Sequence, residues 1–226
     1  MREALRVLST QNLIRTVKGT AGGSYVTLPT VDHISQFMQA NLSLLSSSND
    51  VTLAEFLEAR ECLEVPAARL AAERRTEEDV LELSAAIPAE PLELTVGEQF
   101  KYNKRWHSAV VDSCKNSLLS IAVQPVFVVL QRNLQRSALS DKVHKAINDD
   151  HQRITGAISV GDALLAEREM RAHLAFLRPF YENIWRNSQD DEQLRAAIDG
   201  SSPADEAHSE SASGADRPQL RTPPSE

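Results

Sequence analysis

Three histidines on apolar helix faces constrain the fold more than any other feature of this sequence. The stretch from Asn148 to Leu177 reads as two helices, because Gly161 can close the first and Asp162 can cap the second. At helical spacing, His151 shares a face with Ile154 and Ile158, and His173 shares one with Ala166, Met170 and Leu177. Upstream, His107 shares a face with Asn103, Val111 and Cys114. The pattern predicts three imidazoles pointing into one helical core.

Two interpretations fit these histidines. Each could be a separate core residue that is hydrogen-bonded to a neighbour, which is the ordinary interpretation for any one of them. Convergence of all three favours a divalent ion, because a metal replaces the lost water contacts of every ring at once. Asn103 precedes His107 by one helical turn, so both side chains can reach one point. We therefore predict a metal site made of Asn103, His107, His151 and His173.

Composition predicts a mainly helical protein in a reducing compartment. The chain has 226 residues, only 8 of them glycine, and a net charge of −8 that argues against a general nucleic-acid coat but not against a local basic patch. The cysteines Cys62 and Cys114 suggest no disulfide framework. Their number fits a reducing cytoplasm, where we expect the protein. No apolar run is long enough to span a bilayer, so we expect no membrane as a partner.

The first 29 residues read as a helix and a β-hairpin. We expect a helix from Arg2 to Gln11 with Ala4, Leu5 and Leu8 inward, then strands Ile14–Val17 and Ser24–Leu28 around a glycine-rich turn. This order is typical of a winged helix-turn-helix from its third helix onward, although a helix and hairpin packed on a neighbour without nucleic acid explain it equally well. The candidate DNA contacts are the side chains of Arg2, Arg6, Lys18 and Thr20 and the backbone amides of Gly22 and Gly23.

Further helices follow the hairpin. We expect them at Val31–Leu45, from a capping box of Thr52 and Glu55 to Arg75 with a bend at Pro66, at Glu77–Ala86, around Asn103 and His107 to about Asn116, and at Ser117–Ser137. Arg60 lies on an inward stripe, where it either pairs with Glu64 one turn later or offers a bidentate fork to a small carboxylate ligand. His33 and His144 are interpreted as surface or loop residues.

The composition changes after Asn187. The segment from Ser188 to Glu226 is rich in serine, proline, alanine and acidic residues, and it cannot bury enough apolar surface to offset its chain entropy. We expect it to be disordered, with at most a frayed helix at its start. The expected domains are thus 1–29, 30–187 and 188–226.

A resemblance to a known family enters at the N-terminus. The segment MREALRVLSTQNLIRTVKGTAGGSYV resembles the second half of the DNA-binding domain of GntR-family transcription regulators, through REALRVL, the pair Leu13-Ile14 and the wing GTAGGSYV. The resemblance implies operator DNA as a partner and a homodimer. Family members carry a strand and two helices before this point, whereas this sequence begins at the recognition helix. A truncated member without DNA binding, which senses a metabolite or titrates partners, is therefore the alternative.

A second resemblance covers about Thr52 to Trp185. Three blocks, FLEARECLEVPAARLAAERRTEEDVLEL, WHSAVVDSCKNSLL and DDHQRITGAISVGDALLAEREMRAHL, resemble in that order the FCD effector-binding domain of the FadR subgroup. It implies an all-α, antiparallel bundle around a divalent metal, expected to be zinc, with nickel or manganese as alternatives. The family's metal ligands fall on Asn103, His107, His151 and His173, and its effector-facing arginine falls on Arg60. A small organic acid is the implied effector, and Asn116 matches a weaker pocket position.

The expected function is therefore a ligand-responsive transcription regulator. A metal-dependent hydrolase is the second alternative, since three histidines with an open position can also be catalytic. No general base stands out, because Asp149 and Asp150 are interpreted as residues that precede a helix start, where caps are common. We therefore expect no enzyme activity.

Overall fold

Local signals in the sequence determine where the helices begin and end. The computed structural model describes residues 2–10, 13–19, 22–48, 50–134 and 139–198. The N-terminal elements are α1 (Arg2–Thr10), β1 (Ile14–Val17) and β2 (Gly23–Val26). The helices that follow are α2 (Val31–Ser47), α3 (Leu53–Arg74), α4 (Glu77–Ala85), α5 (Val96–Ser113), α6 (Ser117–Asn133), α7 (Asp141–Val160) and α8 (Ala163–Ile198).

The predicted caps are present at the helix ends. Thr52 opens α3 in a reciprocal capping box with Glu55. Gly161 closes α7 in a left-handed conformation with φ of 78°, and Asp162 Oδ1 accepts a hydrogen bond of 2.9 Å from the Leu165 N–H. The structure confirms the predicted fold class, a helical bundle preceded by one helix and a β-hairpin.

The antiparallel hairpin pairs Ile14 with Val26 and Val17 with Gly23. A side chain at Gly22 would lie 2.5 Å from the Val17 carbonyl oxygen, so the turn itself requires glycine at this position. The prediction that the apolar face of α1 points inward is wrong for two of its three residues: Ala4 is exposed and Leu8 is 36% exposed, whereas Leu5 is half-buried. Helical spacing identifies an apolar face, but it does not supply the element that would cover it.

Helix α3 packs against α5, α6 and α7, and α2 packs against α6. The core consists of two apolar clusters. One includes Val65, Trp106, Ile154 and Met170, and the other includes Leu57, Ile147, Leu177 and Tyr181. Along α3, α7 and α8 the clusters meet at Arg60, His151 and His173, so the predicted site lies where one apolar cluster gives way to the other.

The C-terminal part of the chain begins with a helix, which the expectation allowed at its start. Helix α8 continues past Asn187 to Ile198, within the segment expected to be disordered. Residues 199–226 of that expectation lie outside the described residues. Among the residues that the structure describes, no helix is both long and apolar enough to cross a membrane.

Candidate metal centre and its arginine

The rings of His107, His151 and His173 lie together inside the bundle. Their centroids are 5.3 Å (His107–His151), 5.8 Å (His107–His173) and 5.0 Å (His151–His173) apart. One ring nitrogen of each lies within 4.8 Å of the other two, and each residue is at most 3% exposed. The helical periods of α5, α7 and α8 thus bring together the three residues that the sequence analysis selected.

Aromatic side chains hold two of these rings from outside. The Trp106 ring stacks on His151 with a centroid distance of 3.8 Å, and its Nε1–H donates to Thr155 Oγ1 at 3.0 Å. Phe127 lies 4.5 Å from the His107 ring. Packing therefore fixes the ring planes before any ion is considered.

Asp150 holds His173. Its Oδ2 lies 3.0 Å from His173 Nδ1, and its Oδ1 accepts a hydrogen bond from Arg153. With Nδ1 engaged, Nε2 is the ring nitrogen left for an ion, and this buried atom makes no hydrogen bond with any described residue. A carboxylate on the far nitrogen of an imidazole is the usual support of a metal ligand, so these residues fit an ion.

The interpretation of Asp150 as a residue that precedes a helix start is wrong. Helix α7 begins at Asp141, so Asp150 lies in its interior and is 8% exposed. His144 was also misplaced, since it is buried on the same helix rather than at the surface or in a loop. Both errors come from starting the helix too late, because residues 141–147 were not included in it.

Glu64 joins Arg60 to the histidines. Arg60 Nε donates to Glu64 Oε1 at 2.6 Å, and both side chains are only 2% exposed. Glu64 Oε2 lies 2.6 Å from His107 Nδ1, an ion-pair distance without the alignment of a hydrogen bond. Of the two interpretations of Arg60, the structure contains the pair with Glu64. This pair also places the guanidinium next to a triad histidine.

Burial and charge determine the protonation of this group. Burial lowers the pKa of His107 to about 4, although Glu64 opposes the effect. Burial also lowers the pKa of His173, against the opposing influence of Asp150. Burial alone would raise the pKa of the Glu64 carboxyl, but the charge of Arg60 and the contact with His107 outweigh it and hold this pKa well below its usual range. His107 and His173 are therefore neutral near pH 7, which is the form that binds a metal.

The other predicted site residues differ in their surroundings. Asn103 is 6% exposed and lines the same small cavity as His151. Asn116 Oδ1 accepts hydrogen bonds from the Leu118 and Leu119 N–H groups, a cap of α6 that accounts for this residue without an effector. Arg6, Lys18 and Gly22 are exposed, and Arg2 begins α1. Thr20 lies outside the described residues.

Comparison with known proteins identifies the family. Residues 55–176 match the family model of the FCD domain. Over 182 residues the chain is 30% identical to the HTH-type transcriptional regulator LutR of Bacillus subtilis. The aligned residues cover 77% of this chain and 80% of LutR. The chain belongs to the GntR family of regulators, in the group with an FCD domain. It is therefore a transcription regulator, and its family agrees with the prediction that it is not an enzyme.

The chain is also similar to a further curated protein and to a solved structure. The Uxu operon transcriptional regulator of Escherichia coli is 28% identical over 182 residues, which cover 77% of this chain and 68% of that protein. Among solved structures, the GntR protein of Streptococcus agalactiae aligns with a TM-score of 0.49 and 19% identity over 79% of each chain.

Proposed function

We propose that this regulator binds a divalent metal at His107, His151 and His173, with Asn103 as the fourth ligand, and that a small organic acid completes the site. The observation that carries the proposal is the His173 pair: Asp150 engages Nδ1, and the buried Nε2 has no hydrogen-bonding partner among the described residues. Neutral imidazoles suit zinc, with nickel and manganese as alternatives. When bound, the metal supplies positive charge and open coordination positions.

Charge balance supports an anionic effector. The four proposed ligands would bring no negative charge to a metal, because an imidazole binds it in the neutral form and Asn103 is an amide where a carboxylate would contribute a charge. Arg60 and Glu64 compensate each other. A divalent ion would thus keep its full charge inside the core, and an effector carboxylate would offset it.

Arg60 is the proposed second anchor of that carboxylate. Arg60 contacts Glu64 through Nε and Nη2, the second at 3.4 Å from Oε2. Because a guanidinium has five N–H donors, this contact does not use all of them. The Nη1 edge is the part of the fork that would meet the effector. Asn116 stays a weaker prediction, since its Oδ1 caps α6.

Titration calorimetry tests the role of Arg60. Replacing Arg60 alone would leave Glu64 buried without its partner, so the test removes both charges with Arg60→Met plus Glu64→Gln. We expect the zinc-saturated double variant to bind L-lactate at least about tenfold more weakly than the zinc-saturated wild-type protein does. The control is Arg69→Met plus Glu73→Gln, an exposed pair of the same spacing on α3. Equal lactate affinity in all three proteins would show that the arginine has no such role.

We further propose that the N-terminal elements contact operator DNA in a homodimer. Arg6 and Lys18 are exposed, as phosphate contacts require, and the relatives are named as transcription regulators.

Binding to DNA is measured by fluorescence anisotropy on a duplex that the wild-type protein selects from a random library, and dimerisation is measured by analytical ultracentrifugation. Lys18→Ala should weaken DNA binding, and it should reduce by about one the slope of the logarithm of the binding constant against the logarithm of the salt concentration. The exposed Lys145 on α7 is the control, and Lys145→Ala should change neither quantity. Failure to select any duplex would favour a family member that senses a metabolite without binding DNA.

A further inference from the structure

The arginine side of the candidate centre is closed in this structure. Arg60 and Glu64 are each 2% exposed and are paired with each other, so a ligand can reach Arg60 only if the surrounding side chains move. A different feature connects the triad with the outside of the bundle. It is a cavity of about 30 Å³ between α5, α7 and segment 86–94.

Polar side chains from two helices line this cavity. On α5, Gln99 precedes Asn103 by one turn, and on α7, His144 and Asn148 precede His151 at spacings of seven and three residues. These spacings place each set on a single helix face. The lining thus includes two proposed metal ligands, Asn103 and His151, and three polar residues, Gln99, His144 and Asn148, that the proposed centre does not use.

Gln99 carries an unsatisfied acceptor in the wall of this cavity. Its Nε2–H group donates to the carbonyl oxygens of Pro91 and Leu94 at 3.2 and 3.4 Å, which ties segment 86–94 to α5. Its Oε1 is buried and accepts no hydrogen bond from any described residue. A buried acceptor of this kind calls for a donor from water or a ligand.

The lining also determines which ligand group fits. None of the described residues that line the cavity is an aspartate, glutamate, lysine or arginine. A volume of about 30 Å³ holds about two water molecules. An uncharged group with a hydrogen-bond donor, such as a hydroxyl on a short chain, matches both facts, whereas a second carboxylate would find no fixed positive charge there.

We propose that this cavity is the hydroxyl subsite of the effector, with Gln99 as the acceptor and His144 and Asn148 as further specificity-determining residues. The ligand class is a small hydroxy acid whose carboxylate lies at the metal. The inference rests on the proposed function, since the carboxylate end requires the metal centre. A bound hydroxyl replaces the water that the cavity would otherwise hold.

The test compares L-lactate with propionate, which differ by one hydroxyl, in calorimetry on the zinc-loaded full chain. The readout is the ratio of the lactate affinity to the propionate affinity. If the hydroxyl also contacts the metal, that contribution is the same in every variant and does not affect the comparison. We expect Gln99→Leu and His144→Phe each to lower the ratio about 5- to 30-fold, mainly through weaker lactate binding. Gln152→Leu, an exposed glutamine on α7, should leave it unchanged.

The outcomes separate the two levels of the argument. An unchanged ratio in both cavity variants, with zinc and lactate still bound, overturns the subsite and leaves the proposed function standing. A wild-type chain that binds zinc but neither acid overturns both. The two variants lie on different helices, so if thermal unfolding shows that one of them does not fold, the other still decides.

Discussion

At the scale of single residues, two buried carboxylates govern the candidate centre from outside the triad. Asp150 contacts His173 and Glu64 contacts His107, each at the Nδ1 atom. Their outer partners differ, because Asp150 is held by the exposed Arg153 whereas Glu64 is held by the buried Arg60. The first carboxylate therefore orients one proposed ligand, and the second connects another proposed ligand to the proposed effector arginine.

Asp150→Asn tests this orientation. The amide keeps the shape of the side chain but weakens the hydrogen bond at His173 Nδ1, so we expect zinc affinity to fall about 10- to 100-fold. Affinity is measured by competition with a chromogenic chelator. Asp149→Asn is the matched control, because no contact joins the neighbouring Asp149 to the triad within the described residues. Equal losses in both variants would point to a general effect of charge on α7 and not to support of His173.

Asn103→Asp tests the neutrality of the ligand set. A carboxylate at this position would add the charge that the four proposed ligands lack. We expect zinc affinity to rise by about tenfold or more, and the lactate affinity of the zinc-loaded protein to fall, because less positive charge remains for the effector. Both are read by calorimetry. A variant in which zinc and lactate affinities rise together would contradict the charge argument.

At the scale of elements, sequence patterns predict faces better than they predict what covers them. The inward stripes of α5, α7 and α8 follow from helical period alone, and the triad follows from them. The same reasoning fails on α2, where helical spacing groups Phe37 with Ile34 and Met38 although Phe37 is 66% exposed. The Arg60–Glu64 spacing could be read from the sequence, but the approach of Glu64 to His107 depends on the packing of α3 against α5.

Gly161→Ala tests the junction between the two histidine-bearing helices α7 and α8. Gly161 has φ of 78°, and an added Cβ would lie 2.9 Å from Nη2 of Arg75, which donates to the Ser159 carbonyl. We expect a loss of about 1–2 kcal/mol in the free energy of unfolding. Gly156→Ala in the exposed interior of α7 is the control, since its Cβ would meet nothing within 4 Å, and it should add about 0.5–1 kcal/mol. Urea unfolding measures both, and similar values for the two variants would refute the role of the left-handed cap.

At the scale of the whole molecule, the centre is a polar layer between two apolar clusters. The clusters come together across α3, α7 and α8, so folding places the imidazoles in a low-dielectric interior whether or not a metal is bound. In the metal-free chain this burial favours neutral rings at His107 and His173. This layer of buried, neutral imidazoles therefore makes the metal-free fold sensitive to acid.

The chelator-treated protein should consequently lose stability as the pH falls from 6.5 towards 5. The unfolded chain protonates His107 near its ordinary pKa of 6.5, whereas the folded chain does so only at about 4. Between these values the unfolded state binds more protons, so the free energy of unfolding rises with pH and falls on acidification. For His107 alone the loss by pH 5 is about 2 kcal/mol. Urea unfolding at each pH measures it, and His107→Gln, which removes the titrating group, should show a shallower dependence. Matching pH profiles in the two proteins would mean that His107 titrates alike in the folded and unfolded chains.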